Sequence, residues 1–224
     1  MENRDQWCFA WFEASQAEGR DRAGLWLASR WTPGATITIS FLDGDPALHA
    51  RIEPVARQWT APGRANLFLD FRSDTTKTHI RISFAKPGSW SVLGTTCLRI
   101  PDGEPTMNFG WLKPTSSDTE VERVVLHEFG HALGLVHEHQ LPVGGIQWDK
   151  PAVYADLEPK WSREKIDQNL FETVAGTEAA TTNLDPQSIM MYPIKKSWTL
   201  NGFSTGLNAK LSPIDIAFIH NMYS

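Results

Sequence analysis

The chain has 224 residues, of which 41% are hydrophobic and 21% are charged, and its formal net charge is −5. This length can bury a sizeable core in one domain or in two small lobes. The negative charge argues against a general nucleic-acid or anionic-membrane binder. No apolar run approaches the roughly 18 residues of a membrane-spanning helix. We therefore expect no nucleic-acid partner and no membrane insertion.

The N-terminal segment, residues 1–30, looks like an extension to a main domain that covers residues 31–224. It does not resemble a signal peptide, because the apolar stretch from Trp7 to Phe12 is too short and is followed at once by charge. Two distant cysteines, Cys8 and Cys97, do not make a disulfide framework. We expect a cytoplasmic protein, or one exported by a route that needs no cleaved leader.

In the first half, the sequence predicts a strand, a helix, four further strands and a second helix. Residues 36–41 alternate as a strand, and Asp45 with Pro46 then opens a helix to about Trp59 that Pro54 should kink or break. Further strands are predicted at residues 66–71, 79–84, near 91–100 and at 106–111. A helix of about 16 residues follows, with a capping box from Ser117 to Glu120 at its start.

The second half is less regular. One helix is predicted near residues 162–170, and a last helix starts at Ser212, with Pro213 in its first position and Asp215 in its third. The order of elements indicates an α+β fold. We expect a twisted, mostly five-stranded sheet with two long helices as an upper lobe to about residue 137. An irregular lower lobe, residues 138–224, should end in a helix.

The most informative segment reads H-E-x-x-H-x-x-G-x-x-H, from His127 to His137. His127 and His131 share one helix face, where two neutral imidazoles can bind one Zn²⁺. Glu128 can be the general base for the attacking water. Gly134 can take positive φ and end the helix, so that His137 returns as a third ligand. Three ligands leave one position open, which is typical of a single catalytic zinc ion.

A second motif lies at residues 188–192, where Ser-Ile-Met-Met-Tyr looks like a Met-turn. With it, the chain resembles the metzincins and, among them, the astacin family of zinc endopeptidases. The resemblance implies a two-lobe metalloprotease domain, with three histidines as zinc ligands and Glu128 as the catalytic glutamate. It also implies that Met190 lies below the metal. Tyr192 would be an extra zinc ligand that swings away to stabilise the oxyanion.

Other segments fit the family in part. Residues 89–94 look like its W-S-x-x-G segment, and Glu138 follows the third histidine as in astacins. The R-x-D-R-D stretch usual after that histidine is absent, as are the paired disulfide cysteines. The alternatives without a functional role are a core methionine at Met190, a packed aromatic at Tyr192 and an exposed carboxylate at Glu138. His139 is expected near the metal but not on it.

The predicted function is zinc-dependent endopeptidase activity on proteins or peptides, by a monomer. A substrate could add as a strand to the sheet edge near residues 92–98. Lys195 and Lys196 could line the pocket after the cut and favour acidic residues, or they could be a solvated pair. Cys8 could occupy the open zinc position, or could be an ordinary buried residue. The alternative function is a catalytically silent peptide-binding module.

Overall fold

The computed structural model describes the backbone of residues 8–11 and, in addition, residues 29–73, 77–142, 144–158, 160–173 and 183–224. Most of the predicted N-terminal extension and the side chain of Cys8 lie outside the described residues. Among the described helices, none is both long and apolar enough to cross a membrane.

The upper lobe is built on one mixed sheet in the order β1-β5-β6-β4-β2-β3. Only β5 and β6 pair antiparallel, and the other neighbours are parallel. Five of these strands are the ones that the sequence predicts, and β1 is added at one edge. The strands are β1 Cys8–Trp11, β2 Thr36–Phe41, β3 Phe68–Phe71, β4 Ile80–Ser83, β5 Ser89–Val92 and β6 Met107–Phe109.

The predicted strand near residues 91–100 is wrong beyond Val92. The chain forms a 3-10 helix at Gly94–Arg99 instead. Gly94 has φ of 47°, and a Cβ there would lie 1.9 Å from the carbonyl oxygen of Ser29. Thr95 N–H donates to that same carbonyl at 2.8 Å. The close passage of Ser29 therefore turns the chain, and the proposed substrate edge at residues 92–98 does not exist as a strand. The edge of β5 itself pairs with β1.

Two helices pack against the sheet. Helix α1, Pro46–Ala56, is capped by the Asp45 side chain, and it passes into a 3-10 turn at Arg57–Thr60 shortly after Pro54. Helix α2, Asp118–Ala132, is capped by Ser117 and buries most of its residues. Trp59 Nε1–H donates to the Leu126 carbonyl at 2.9 Å, which ties the end of the first helical segment to α2. The two helices and the sheet share one hydrophobic core.

In the lower lobe, the short helices α3, Lys150–Leu157, and α4, Arg163–Ile166, lie around a second, smaller core. The last helix, α5, Pro213–Met222, instead contributes Ile219 to the first core. The helix predicted near residues 162–170 is present. Ser162 caps it, and after α4 it continues as a π-helical turn, Asp167–Phe171. The capping box of Ser212 and Asp215 is present at α5, as the sequence predicts.

Candidate metal and active site

Helix α2 presents the first two histidines on one buried face. His127 and His131 are four residues apart, and His131 is fully buried while His127 is nearly so. The helix ends in a Schellman motif: Leu135 N–H donates to the Gly130 carbonyl at 2.9 Å, and Gly134 N–H donates to the His131 carbonyl at 2.8 Å. Gly134 has φ of 94°, the left-handed conformation that this motif needs. The chain reverses there, as the sequence predicts.

The reversal brings His137 to the other two histidines. Its Nε2 lies 3.2 Å from Nε2 of His127 and 3.1 Å from Nε2 of His131. One ligand atom from each of the three residues lies within 4.8 Å of the others. For comparison, two ligands at about 2.05 Å from a tetrahedral zinc ion are roughly 3.3 Å apart. The spacing of the three nitrogens therefore matches a zinc site.

The other ring nitrogen of each histidine donates a hydrogen bond. His127 Nδ1–H donates to the Ile189 carbonyl and His131 Nδ1–H to the Leu135 carbonyl, both at 2.8 Å. His137 Nδ1–H donates to Oε1 of Gln140 at 3.2 Å. A neutral imidazole that donates through Nδ1 has only a lone pair on Nε2. Three lone pairs facing one another repel unless a cation lies between them, so the donor set fits a divalent metal ion.

Electrostatics keep the cluster in the metal-binding protonation state. Burial lowers the pKa of His131 to about 4. Burial, with the charge of His131 as the next cause, holds the pKa of both His127 and His137 well below the usual range. Metal ligation requires neutral imidazole. The three rings are therefore ready to bind a metal at neutral pH without first losing a proton.

Glu128 is fully buried beside His127 on α2. A carboxylate is costly to bury unless it is paired or has a task that needs it. Its position in the chain fixes it one residue after the first candidate ligand, on the helix that carries two of the three. The structure thus buries a carboxyl group on the helix that carries His127 and His131.

The Met-turn packs directly against α2. Met190 is buried, and a Cβ at Gly130 would lie 2.3 Å from its sulfur. Gly130 stands between His127 and His131 in the chain, and its missing side chain leaves room for the methionine sulfur against this helix. The Met190 carbonyl accepts from Glu138 N–H at 3.1 Å, which links the turn to the segment of the third histidine.

Tyr192 lies beside the cluster with 2% of its surface exposed. Its ring centroid is 4.2 Å from that of His137 and 6.2 Å from that of His127. The Met-turn carries it there, because Tyr192 follows Met190 by two residues. The ring of Tyr192 therefore packs against the three-histidine cluster.

Glu138, next to the third histidine, is partly buried. Its Oε1 accepts from Asp185 N–H at 2.9 Å, and burial raises its pKa to about 7. Asp215, in the α5 capping box, accepts from Ser188 Oγ–H at 2.7 Å and from Ile189 N–H at 2.8 Å. Through Ile189 this network reaches His127. The sequence predicts the capping box, but it does not show that Asp215 also holds the Met-turn.

The two lysines after the Met-turn differ. Lys195 forms an ion pair with Asp156, which also accepts from Trp198 Nε1–H at 2.9 Å. Lys196 is exposed and forms no ion pair with the residues that the structure describes. Asp156 therefore compensates the charge of Lys195, whereas no carboxylate of the described residues compensates that of Lys196.

Two residues next to the third histidine have contacts that sequence reasoning missed. Gln140 accepts from His137, as described above. His139 Nε2–H donates to the Asn169 carbonyl at 2.8 Å, and its ring centroid lies 5.3 Å from that of His137. His139 thus stands beside the cluster and outside the set of three. The only signal for Gln140 in the sequence is an amide side chain three residues after His137.

Comparison with solved structures shows two close similarities, both to myroilysin. "Structure of myroilysin" is 42% identical over 88% of this chain and 96% of that chain, with a TM-score of 0.81. "Crystal structure of myroilysin" is 38% identical over 99% of this chain and 92% of that chain, with a TM-score of 0.71. No protein-family model and no curated protein sequence matches the chain. The similarities fit the metzincin-like α+β fold that the sequence predicts.

Proposed function

Because the chain belongs to the family of myroilysin, we propose that it is an astacin-like zinc endopeptidase that hydrolyses peptide bonds in proteins or peptides. The observation that carries the proposal is the convergence of three histidine Nε2 atoms, each with its Nδ1–H donated elsewhere. His127, His131 and His137 would hold the ion. Zinc, when bound, supplies a Lewis acid that lowers the pKa of water and polarises a carbonyl.

The chain's own residues then carry the proton and the developing charge. Glu128 accepts the proton of the attacking water and passes it to the leaving amine. Its complete burial on the helix that carries two of the three candidate ligands supports this role. The Tyr192 hydroxyl donates a hydrogen bond to the oxyanion that forms at the scissile carbonyl. Its ring contact with His137 supports that assignment.

The substrate preference follows from the lower lobe. We propose that Lys196 favours acidic side chains just after the cut, because its charge has no counter-ion among the described residues, whereas Lys195 is compensated by Asp156. Among peptide substrates, cleavage should therefore concentrate at bonds followed by Asp or Glu.

The test is a Glu128→Gln variant compared with the unmodified protein. Both are loaded with zinc, their metal content is measured, and both are incubated with a peptide library derived from a proteome. We expect equal zinc content and a loss of cleavage of at least about 100-fold in the variant. Equal turnover would refute the role of Glu128. Zinc binding without cleavage in the unmodified protein would favour the alternative, a catalytically silent peptide-binding module.

A further inference from the structure

The loop after the third histidine is anchored through a side-chain amide. Gln140 is 5% exposed, and its Oε1 accepts from His137 Nδ1–H at 3.2 Å. At the other end of the same amide, Nε2–H donates to the Gln168 carbonyl at 2.9 Å. One planar group therefore joins His137 to the lower lobe, and both of its polar atoms are used.

The partner carbonyls belong to the π-helical turn Asp167–Phe171. In an α-helix the Glu172 amide would bond to the Gln168 carbonyl, four residues back. Here Glu172 N–H donates to the Asp167 carbonyl, five residues back, at 2.9 Å. This shift leaves the Gln168 carbonyl to accept from Gln140.

The next carbonyl of the turn is used in the same way. Asn169 accepts from His139 Nε2–H at 2.8 Å. The ring of His139 lies 5.3 Å from that of His137 and 4.7 Å from that of Tyr192. Two consecutive carbonyls thus hold the two side chains that support His137. A local π-bulge inside a helix often marks a functional position.

The π-helical turn is held in place by a hydrogen bond from α3 and by burial in the second core. The Tyr154 hydroxyl donates to the Asp167 carboxylate. Ile166 and Leu170 are fully buried in the second core. The carbonyls of Gln168 and Asn169 are therefore held by a well-packed element rather than by a loose loop.

We propose that Gln140 is the positioning residue of His137, and that the π-helical turn at residues 167–171 anchors it in place of the absent R-x-D-R-D segment. The proposal rests on the proposed function in one respect, that His137 ligates the metal. Gln140 fixes which nitrogen of His137 carries the proton and how the ring is turned. Partners of this kind orient a ligand and change metal affinity when they are lost.

The test compares two substitutions at one position. Gln140→Met keeps the size of the side chain and removes both hydrogen bonds, whereas Gln140→Glu keeps an acceptor for His137 Nδ1–H. Zinc affinity is measured by competition with a chelator, and the visible spectrum of the cobalt-substituted protein reports the ligand geometry. We expect Gln140→Met to lose about 10- to 100-fold in zinc affinity, with an altered cobalt spectrum. Gln140→Glu should bind zinc more tightly than Gln140→Met and keep the spectrum.

Two further variants separate positioning from stability. Asn108 is a buried amide of the upper lobe that donates to the Lys86 and Gly88 carbonyls at 2.9 and 2.6 Å. Asn108→Ala should lower the unfolding midpoint without changing zinc affinity. Tyr154→Phe frees the π-helical turn without touching His137 or Gln140, and should weaken zinc binding in the same direction as Gln140→Met but less. If Gln140→Met does not fold, Tyr154→Phe provides the test instead.

The outcomes distinguish this inference from the proposed function. Unchanged zinc affinity in Gln140→Met, or in Tyr154→Phe if Gln140→Met does not fold, would overturn the positioning role while leaving hydrolysis untouched. Gln140→Glu no better than Gln140→Met would also overturn it. If the unmodified protein binds zinc but does not cleave peptides, the proposed function fails and the metal readout still decides the role of Gln140. If it binds no zinc, both fail.

Discussion

The contact between Gly130 and Met190 makes a quantitative prediction for Gly130→Ala. In an unobstructed helix this change would stabilise the protein by about 1 kcal/mol, because alanine is the better helix former. Here the new Cβ would lie 2.3 Å from the Met190 sulfur and 3.2 Å from Trp59 Cζ2. Ordinary contacts begin near 3.4 Å, so the sulfur must move by about an ångström in a close-packed core.

Overpacking of this kind costs about 1–3 kcal/mol, and the helix-propensity gain of about 1 kcal/mol offsets part of it. We therefore expect Gly130→Ala to lower the free energy of unfolding by up to about 2 kcal/mol. Urea denaturation measures it, with Gly206→Ala as the control, since a Cβ at Gly206 meets nothing within 4 Å. A second comparison introduces Gly130→Ala into a Met190→Ala variant. The methionine sulfur is then absent, so the added alanine should leave the free energy of unfolding unchanged or raise it. A single Gly130→Ala variant that is more stable than the unmodified protein by about 1 kcal/mol, as in an unobstructed helix, would refute the reasoning.

Three other predictions concern single side chains. Glu138→Gln keeps the acceptor for Asp185 N–H but cannot titrate. Burial raises the pKa of Glu138 from 4.5 to about 7, so in this range the folded protein keeps a proton that the unfolded chain loses. The stability of the unmodified protein relative to the variant should therefore fall by up to about 3 kcal/mol between pH 4.5 and pH 7. Parallel pH profiles of unfolding would contradict this. Tyr192→Phe should retain zinc and lower kcat by about 10²- to 10³-fold, and a loss under threefold would exclude the oxyanion role. Lys196→Ala should reduce cleavage before acidic residues relative to neutral ones, whereas Lys195→Ala should not; equal profiles would mean that the lysines are simply solvated.

Local signals in the sequence predicted much of this molecule. The caps at Ser117 and Ser212 predict two helix starts, and the structure places a helix at each. The positive φ of Gly134 follows from the ligand spacing alone. These predictions succeed because capping, helix termination and i, i+4 spacing depend on residues a few positions apart.

The failures depend on contacts between distant residues. Nothing within residues 91–100 shows that Ser29 will pass close to Gly94 and end the strand. The addition of β1 beside β5 is likewise a pairing across some 80 residues, which alternation cannot reveal. The π-helical turn forms because the Glu172 amide bonds to the Asp167 carbonyl and not to the Gln168 carbonyl. Intrinsic helix propensity does not distinguish these two hydrogen bonds. The use of Gln140 depends on that choice.

The central claim is that hydrolysis depends on one zinc ion at the three-histidine cluster. The most direct measurement is to strip the protein with a chelator, add zinc back in steps, and follow peptide cleavage and bound zinc together. The account predicts no cleavage in the stripped protein and a linear recovery that ends at one equivalent of zinc. The same titration of a His137→Ala variant should recover no cleavage. Full activity in the stripped protein, or recovery in the variant equal to that of the unmodified chain, would contradict it.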